Sequence, residues 1–213
     1  MAKLYFKFGA MDSSKTANAL MTRFNYMEKG KKVWLIKPAT DNRDGATILK
    51  SRIGLQAEAD VIAAGDSILK RCPDGIDVII CDECQFLTPE QVDDLRIIVS
   101  ERNIPVLCFG LRADFQTHLF PGSKRLFELA DSITEIKSIC RCGAKATVNA
   151  RFDSDGYVCV DGAQVVIGGN DLYEGVCWSC WHDMIKNHRS RNEKRIKMNK
   201  AGRRPALLRL RGI

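Results

Sequence analysis

Residues 9–16 read Gly9-Ala10-Met11-Asp12-Ser13-Ser14-Lys15-Thr16 and follow directly on an alternating apolar run, Leu4-Tyr5-Phe6-Lys7-Phe8. A strand that empties into a glycine-led loop and then into a helix-compatible run, here residues 17–29, aims successive backbone N–H groups and the positive helix end at one point. That point suits a polyanionic phosphate, with Lys15 reaching the β- and γ-phosphates and the Thr16 hydroxyl placed to ligate Mg²⁺. The segment reads as a phosphate-binding loop for a nucleoside triphosphate; an ordinary strand-to-helix turn is the plainer alternative. One position departs from the pattern, since Ser14 stands where a second glycine is usual. A Cβ there is tolerated only if the backbone avoids φ > 0 or the surroundings absorb the strain.

The loop sits at the start of a regular alternation. Apolar, β-branched-rich runs predict strands at 3–8, 33–37, 60–64, 77–82, 105–110 and 132–138, and amphipathic runs predict helices at 16–29, 66–71, 89–102 and 123–130. This pattern defines an α/β fold, a P-loop parallel sheet with helices on both faces. Thr88-Pro89-Glu90-Gln91 carries the start signals of its helix: an N-cap Thr, Pro at the first helical position and Gln91 to close a capping box. Residues 39–55 and 111–122 are long, polar and punctuated by Gly or Pro, which marks them as functional loops. Beyond Ile139 the alternation gives way to short strand-like pieces, glycines and paired cysteines. Three units result: a nucleotide-binding unit at 1–138, a smaller unit at 139–183, and a tail at 184–213.

The charge distribution separates the tail from the rest. The 213 residues carry a net +7, but residues 184–213 hold eleven Lys or Arg against Glu193 alone, a net of +10. The rest of the chain is therefore mildly acidic. The tail has the composition of a disordered or loosely held segment, and its charge permits contact with nucleic acid through the tail only. No stretch approaches the roughly 20 apolar residues of a membrane span, and the start lacks a secretory core, so a cytoplasmic enzyme is expected. Nine cysteines, an odd number, point to free thiols and metal ligands rather than a disulfide framework.

The run Asp77-Val-Ile-Ile-Cys-Asp82-Glu83 reads as a buried strand ending in two acids. A carboxylate at the end of a parallel strand next to the loop strand can hold Mg²⁺ beside Thr16, and Asp82 fits that place. Glu83 is turned elsewhere and can act on the attacking group; a solvated turn is the plainer reading of such a pair. Cys140-Arg-Cys142 and Cys177-Trp-Ser-Cys180 form two further pairs. The second has the spacing usual for Zn²⁺ and the first is one residue tighter; four thiolates would close a structural site. His182 is a conceivable substitute ligand. Cys72, Cys81, Cys84, Cys108 and Cys159 read as core or surface residues.

Taken together, Gly9 to Thr16, Asp82-Glu83-Cys84-Gln85-Phe86 and Val166-Ile167-Gly168-Gly169, bracketed by the cysteine pairs, resemble the thymidine kinases shared by bacteria, their phages and the animal cytosol. Further pieces agree in order: Asp41-x-Arg43, Ser51-Arg-Ile-Gly-Leu55, Pro105 to Arg112 followed by Phe115, and Tyr173 ahead of Cys177. The resemblance covers residues 3–181; the tail has no counterpart in it. It implies transfer of the γ-phosphoryl of ATP to the 5′-hydroxyl of thymidine, with deoxyuridine a further acceptor, and Zn and Mg as cofactors. It assigns Glu83 as general base, Gly9 to Thr16 with Asp82, Glu83, Cys84 and Gln85 to ATP, and Thr16 with Asp82 to Mg²⁺. It gives Asp41 and Gln85 a part in ordering metal, water or ribose, and Arg43 and Arg151 a part in holding phosphate charge. The base would be held by a lasso loop between the cysteine pairs, Gln164, Val165, Val166, Ile167, Gly168, Gly169 and Tyr173, with Met11, Leu111, Phe115, Phe120 and Asn149 around it. A homotetramer and feedback inhibition by dTTP are implied too. The competing class is a nucleotide-dependent nucleic-acid-binding module with a zinc clip, against which the acidic body counts.

Overall fold

A computed structural model describes residues 1–40, 45, 47–164 and 173–187. In chain order the elements are β1 (Leu4–Phe8), α1 (Lys15–Glu28), β2 (Val33–Pro38), β3 (Ile48–Lys50), β4 (Gln56–Glu58), β5 (Asp60–Ile62), α2 (Ile68–Arg71) and β6 (Val78–Cys81). A short 3₁₀ turn at Cys84–Phe86 leads to α3 (Pro89–Glu101), β7 (Val106–Gly110), α4 (Pro121–Leu129), β8 (Ser132–Glu135), β9 (Val148–Arg151) and β10 (Tyr173–Val176). A last helix, α5, covers residues 178–187.

Six strands form one sheet in the order β5-β2-β6-β7-β1-β8, every neighbouring pair parallel. Strand period fixes the two cores. Leu4, Phe6, Trp34, Ile36, Ile79, Cys81, Val106 and Cys108 point to one face, where Leu95 and Ile98 of α3 and Leu126 of α4 cover them. Leu35, Val78, Ile80, Leu107 and Phe109 point to the other, under Ala19 and Leu20 of α1. The central strands β6 and β7 are thus buried on both sides, as in a parallel sheet covered by helices. The capping box forms as read: Thr88 Oγ1 accepts from the Gln91 N–H at 3.2 Å, and Gln91 Oε1 accepts from the Thr88 N–H at 3.1 Å.

Two expectations change. The acid-bearing strand β6 does not adjoin β1, because β7 lies between them. Groups at the end of β6 reach the loop across the end of β7, which closes on Gly110. A Cβ there would meet Gln85 Oε1 at 2.5 Å and Cys84 Sγ at 2.7 Å. Residues 39–55 also hold more order than a loop, for β3 pairs antiparallel with β4. The hairpin buries Leu49 and Ala59 against the α1 face, and the fully buried Lys37 donates to the carbonyls of Gly45 and Ile48 at its base. Too few apolar residues alternate here for the period to stand out from the polar background.

The cysteine-bearing part has its own small core of Cys140, Val148, Ala150, Val158, Val176, Cys177 and Ile185. It is built on the antiparallel pair β9–β10. Helix α5 runs on through residue 187 with Ile185 buried, so the ordered chain continues past Met184. Among the described residues no helix is long and apolar enough to cross a membrane.

Candidate active site

The loop after β1 is held from several sides. Gly9 is required by close approach, since a Cβ would fall 2.3 Å from Ser13 Oγ and 2.6 Å from the Ile136 carbonyl oxygen. Asp12 and Ser14 both adopt left-handed backbone, with φ of 65° and 58°. Ser14 therefore does occupy the conformation that usually calls for glycine, at a strain of about 1–2 kcal/mol. Its carbonyl accepts from the Asn18 N–H and the Asn18 amide side chain, so the first turn of α1 holds it there. Lys15 folds back over the loop, its Nζ donating to the Ala10 carbonyl at 2.7 Å and to Ser13 Oγ at 3.3 Å.

Across the end of β7 stand the two acids. Asp82 is almost wholly buried, and one of its carboxyl oxygens, Oδ2, has no hydrogen-bond partner among the described residues. Burial and then the charge of Glu83 push its carboxyl up to about 7, against the Thr16 hydroxyl and the Lys15 ammonium, which favour the ionised form. A buried carboxyl with an unsatisfied oxygen, hydrogen-bonded to a threonine hydroxyl, offers the oxygen donors a hard cation takes. The residues fit Mg²⁺. Glu83 follows with φ of 51°, which turns its side chain off the strand direction. Gln85 Nε2 donates to Glu83 Oε2 at 2.5 Å, while Gln85 Oε1 accepts from the Leu111 N–H at 2.9 Å. Gln85 thus pins Glu83 to the end of β7. The Cys84 side chain goes elsewhere, into the core beside α3.

Met11 is the junction with the second part. Its N–H donates to Asn149 Oδ1 at 2.8 Å, and Asn149 Nδ2 donates onward to the Ala113 carbonyl at 2.7 Å. Gly175 on β10 packs so close that a Cβ would lie 2.5 Å from the Met11 carbonyl oxygen. Phe115 and Phe120 are buried, Phe120 edge-on to Phe86. Ser123 Oγ holds the Leu111 carbonyl at 2.6 Å. The Arg151 guanidinium lies 3.6 Å from the Phe115 ring centroid and donates to the carbonyls of Asp161 and Ala163. Here Arg151 clamps the start of the lasso, a part the resemblance did not give it. Tyr173 pairs with Arg151 in register at the other end of the lasso. Asp41, Arg43, Val165, Val166, Ile167, Gly168 and Gly169 lie outside the described residues.

The sequence reading passed over three contributors. Asp114, buried, accepts from the N–H groups of Gln116 and His118 and from Gln164 Nε2 at 2.8 Å, which ties the 111–120 loop to the lasso. Its signal was a lone acid among apolar neighbours. Ser138 donates to the Asp12 carbonyl, and Arg52 ion-pairs with the Asp12 carboxylate. Arg52 lies within the Ser51 to Leu55 piece of the resemblance, which gave it no role, and Ser138 carried no spacing that would single it out.

The four cysteines do come together. The Sγ atoms of Cys140, Cys142, Cys177 and Cys180 all lie within 4.8 Å of one another, with Cys142 and Cys177 at 3.6 Å. Zn–S bonds of 2.3 Å at tetrahedral angles place sulfurs about 3.8 Å apart. The cluster can hold a zinc ion. The crowding splits the thiols. Burial raises Cys140, but hydrogen bonds from the backbone at Cys142 and Cys177 and from neighbouring thiols outweigh it and bring it to about 7. Cys180 is pushed up to about 12 by its hydrogen bonds to Cys177, Cys142 and Cys140. His182 stands outside the cluster, exposed and stacked over Trp178.

A phosphate loop at the end of one strand, and a buried Asp82 with a half-buried Glu83 reaching it from another, define the site of a P-loop enzyme that moves phosphoryl groups. The family model described as thymidine kinase matches residues 2–181. The thymidine kinase of Chromobacterium violaceum is 46% identical over 182 residues, covering 85% of this chain and 99% of that protein. Those of Yersinia pseudotuberculosis and Ruegeria pomeroyi are 44% and 43% identical, covering 87% and 86% of this chain and 97% and 95% of theirs. The chain belongs to the thymidine kinase family and is an ATP-dependent kinase.

Proposed function

We propose that this enzyme transfers the γ-phosphoryl group of ATP to the 5′-hydroxyl of thymidine, giving dTMP, and accepts deoxyuridine by the same geometry. The observation that carries the reading is the placement of Glu83 beside a buried Asp82, opposite Lys15 and the loop amides. Phosphoryl transfer needs charge neutralisation, in-line positioning and a proton acceptor. Lys15, the N–H groups of residues 12–16 and Thr16 answer the first. The network Leu111–Gln85–Glu83 fixes a carboxylate for the last, where it takes the 5′-hydroxyl proton as general base. Thr16 and Asp82 would hold Mg²⁺, which when bound neutralises charge on the β- and γ-phosphates. Arg43 and Asp41 join this phosphate side by resemblance.

The nucleoside side is the cysteine-clipped part. Zinc on Cys140, Cys142, Cys177 and Cys180 closes both ends of the lasso, so that residues 164–169 and Tyr173 cover the base with Met11, Leu111, Phe115, Phe120 and Asn149. We read 1–138 as the nucleotide unit, 139–183 as the zinc and lasso unit and 184–213 as a basic tail, whose first residues continue α5 with Ile185 buried. A homotetramer, dTTP as a feedback inhibitor that occupies the thymidine site, and a cytoplasmic location complete the reading. A phosphorylation assay over the four natural deoxynucleosides and deoxyuridine tests it. Turnover of thymidine and deoxyuridine with Mg-ATP, and little of the purine nucleosides, is the expected result; equal use of all, or of none, contradicts it.

A further inference from the structure

The phosphate loop carries an acid where its task is to bind an anion. Asp12 belongs to the loop itself, in left-handed backbone, with its side chain a third exposed. A carboxylate there repels a triphosphate that brings three to four negative charges to the same amides. Its counter-charge comes from a different element. The Arg52 guanidinium pairs with Asp12 Oδ1, and Arg52 sits in the turn that joins β3 to β4.

That turn is built to hold one position. The Ser51 N–H donates to the Leu55 carbonyl at 2.8 Å, the Gly54 N–H to the Ser51 carbonyl at 3.0 Å, and the Leu55 N–H to Ser51 Oγ at 3.0 Å. Ser51 is buried, and Gly54 takes φ of 90°, open to glycine and unfavourable for other residues. Leu49 fastens the hairpin to the face of α1, the helix that the phosphate loop begins, and Lys37 fastens its base. An exposed ion pair contributes little to stability, so a hairpin anchored at three points is more than that pair needs for its own sake.

We propose that Arg52 is a positioning residue for the phosphate donor: held by the β3–β4 turn, it neutralises Asp12 and so lets a nucleoside triphosphate settle on the loop. Arg52 acts through Asp12 and not by touching the nucleoside acceptor. The inference rests on the proposed placement of ATP at residues 9–16, and its test separates the two. Equilibrium binding of a non-hydrolysable ATP analogue with Mg²⁺ is measured for the full chain, independently of any acceptor. Binding by the wild type establishes the donor site; its absence contradicts that placement. Arg52→Gln, leaving Asp12 uncompensated, should weaken the analogue about tenfold at low salt, with a smaller loss at 0.5 M salt as screening takes over. Asp12→Asn alone should tighten it about threefold, and Asp12→Asn with Arg52→Gln should recover wild-type affinity to within about twofold. Arg52→Lys should rescue most of the single loss. In turnover, Arg52→Gln should raise the KM for ATP and leave the KM for thymidine in place. A double variant as weak as Arg52→Gln overturns the proposal, because Arg52 would then act without Asp12. An Arg52→Gln variant with unchanged affinity overturns it equally.

Discussion

The two halves of the site rest on unequal foundations. The phosphate side is carried by a six-stranded parallel sheet with a buried core on each face, and its loop is fixed by backbone geometry that few substitutions satisfy. The part proposed to take the nucleoside hangs on a two-stranded pair and a core of seven buried residues, two of them cysteines of the cluster. A core that small supplies little stability by burial alone, and a zinc ion held by the four cysteines would supply the rest by closing both ends of a long loop. The contrast teaches where each function is vulnerable: phosphate chemistry through single atoms at the loop, nucleoside binding through the integrity of a whole lobe.

Glu83→Gln strikes the phosphate side hardest. It keeps size and most hydrogen bonding but cannot take a proton, so kcat should fall by about 10² to 10⁴ with substrate affinities little changed. Near-wild-type turnover would remove Glu83 from the base role. Gly9→Ala comes next. The added methyl meets Ser13 and the Ile136 carbonyl oxygen, so the loop must open, and binding of an ATP analogue should weaken about 10- to 100-fold while the protein stays folded by circular dichroism; unchanged binding would mean the loop adapts.

Asp82 gives a pH signature on the same side. Its folded value, about 7, lies above the ordinary 3.8, so the stability attached to its protonated form is complete below about pH 4 and is lost as pH rises through 7. In metal-free buffer the unfolding free energy of the wild type should drop between about pH 4 and 7, and that of Asp82→Asn should stay flatter. Parallel profiles would contradict the burial argument. The smallest effect is Ser14→Gly, which relieves left-handed strain worth about 1 kcal/mol and should raise the melting temperature by about 2–4 °C. A fall instead would mean that Asn18 and the first turn of α1 favour serine there.

Much of this was legible before any coordinates, for physical reasons. The parallel sheet follows from near-continuous apolar runs alternating with amphipathic ones, and the loop from a short local pattern whose geometry is backbone. The four cysteines are legible by chemistry. What escaped is tertiary. The insertion of β7 between β1 and β6 leaves no local trace, because strand order is set by packing. The β3–β4 hairpin is too short for its period to show. Asp114, Ser138 and Arg52 act through partners 126 residues away or fewer, and neither the lone acid at 114 nor the Ser51 to Leu55 piece tells which partner its residue meets. The clamp made by Arg151 on Phe115 and two carbonyls belongs to the same class.

The division of labour has one direct measurement. Full-length Cys177→Ser protein, depleted of zinc by chelation, is titrated calorimetrically with thymidine and, separately, with a non-hydrolysable ATP analogue and Mg²⁺. The account predicts that thymidine affinity falls by about tenfold or more while the analogue binds within about twofold of wild type. Equal losses for both ligands, or full thymidine binding without metal, would contradict it.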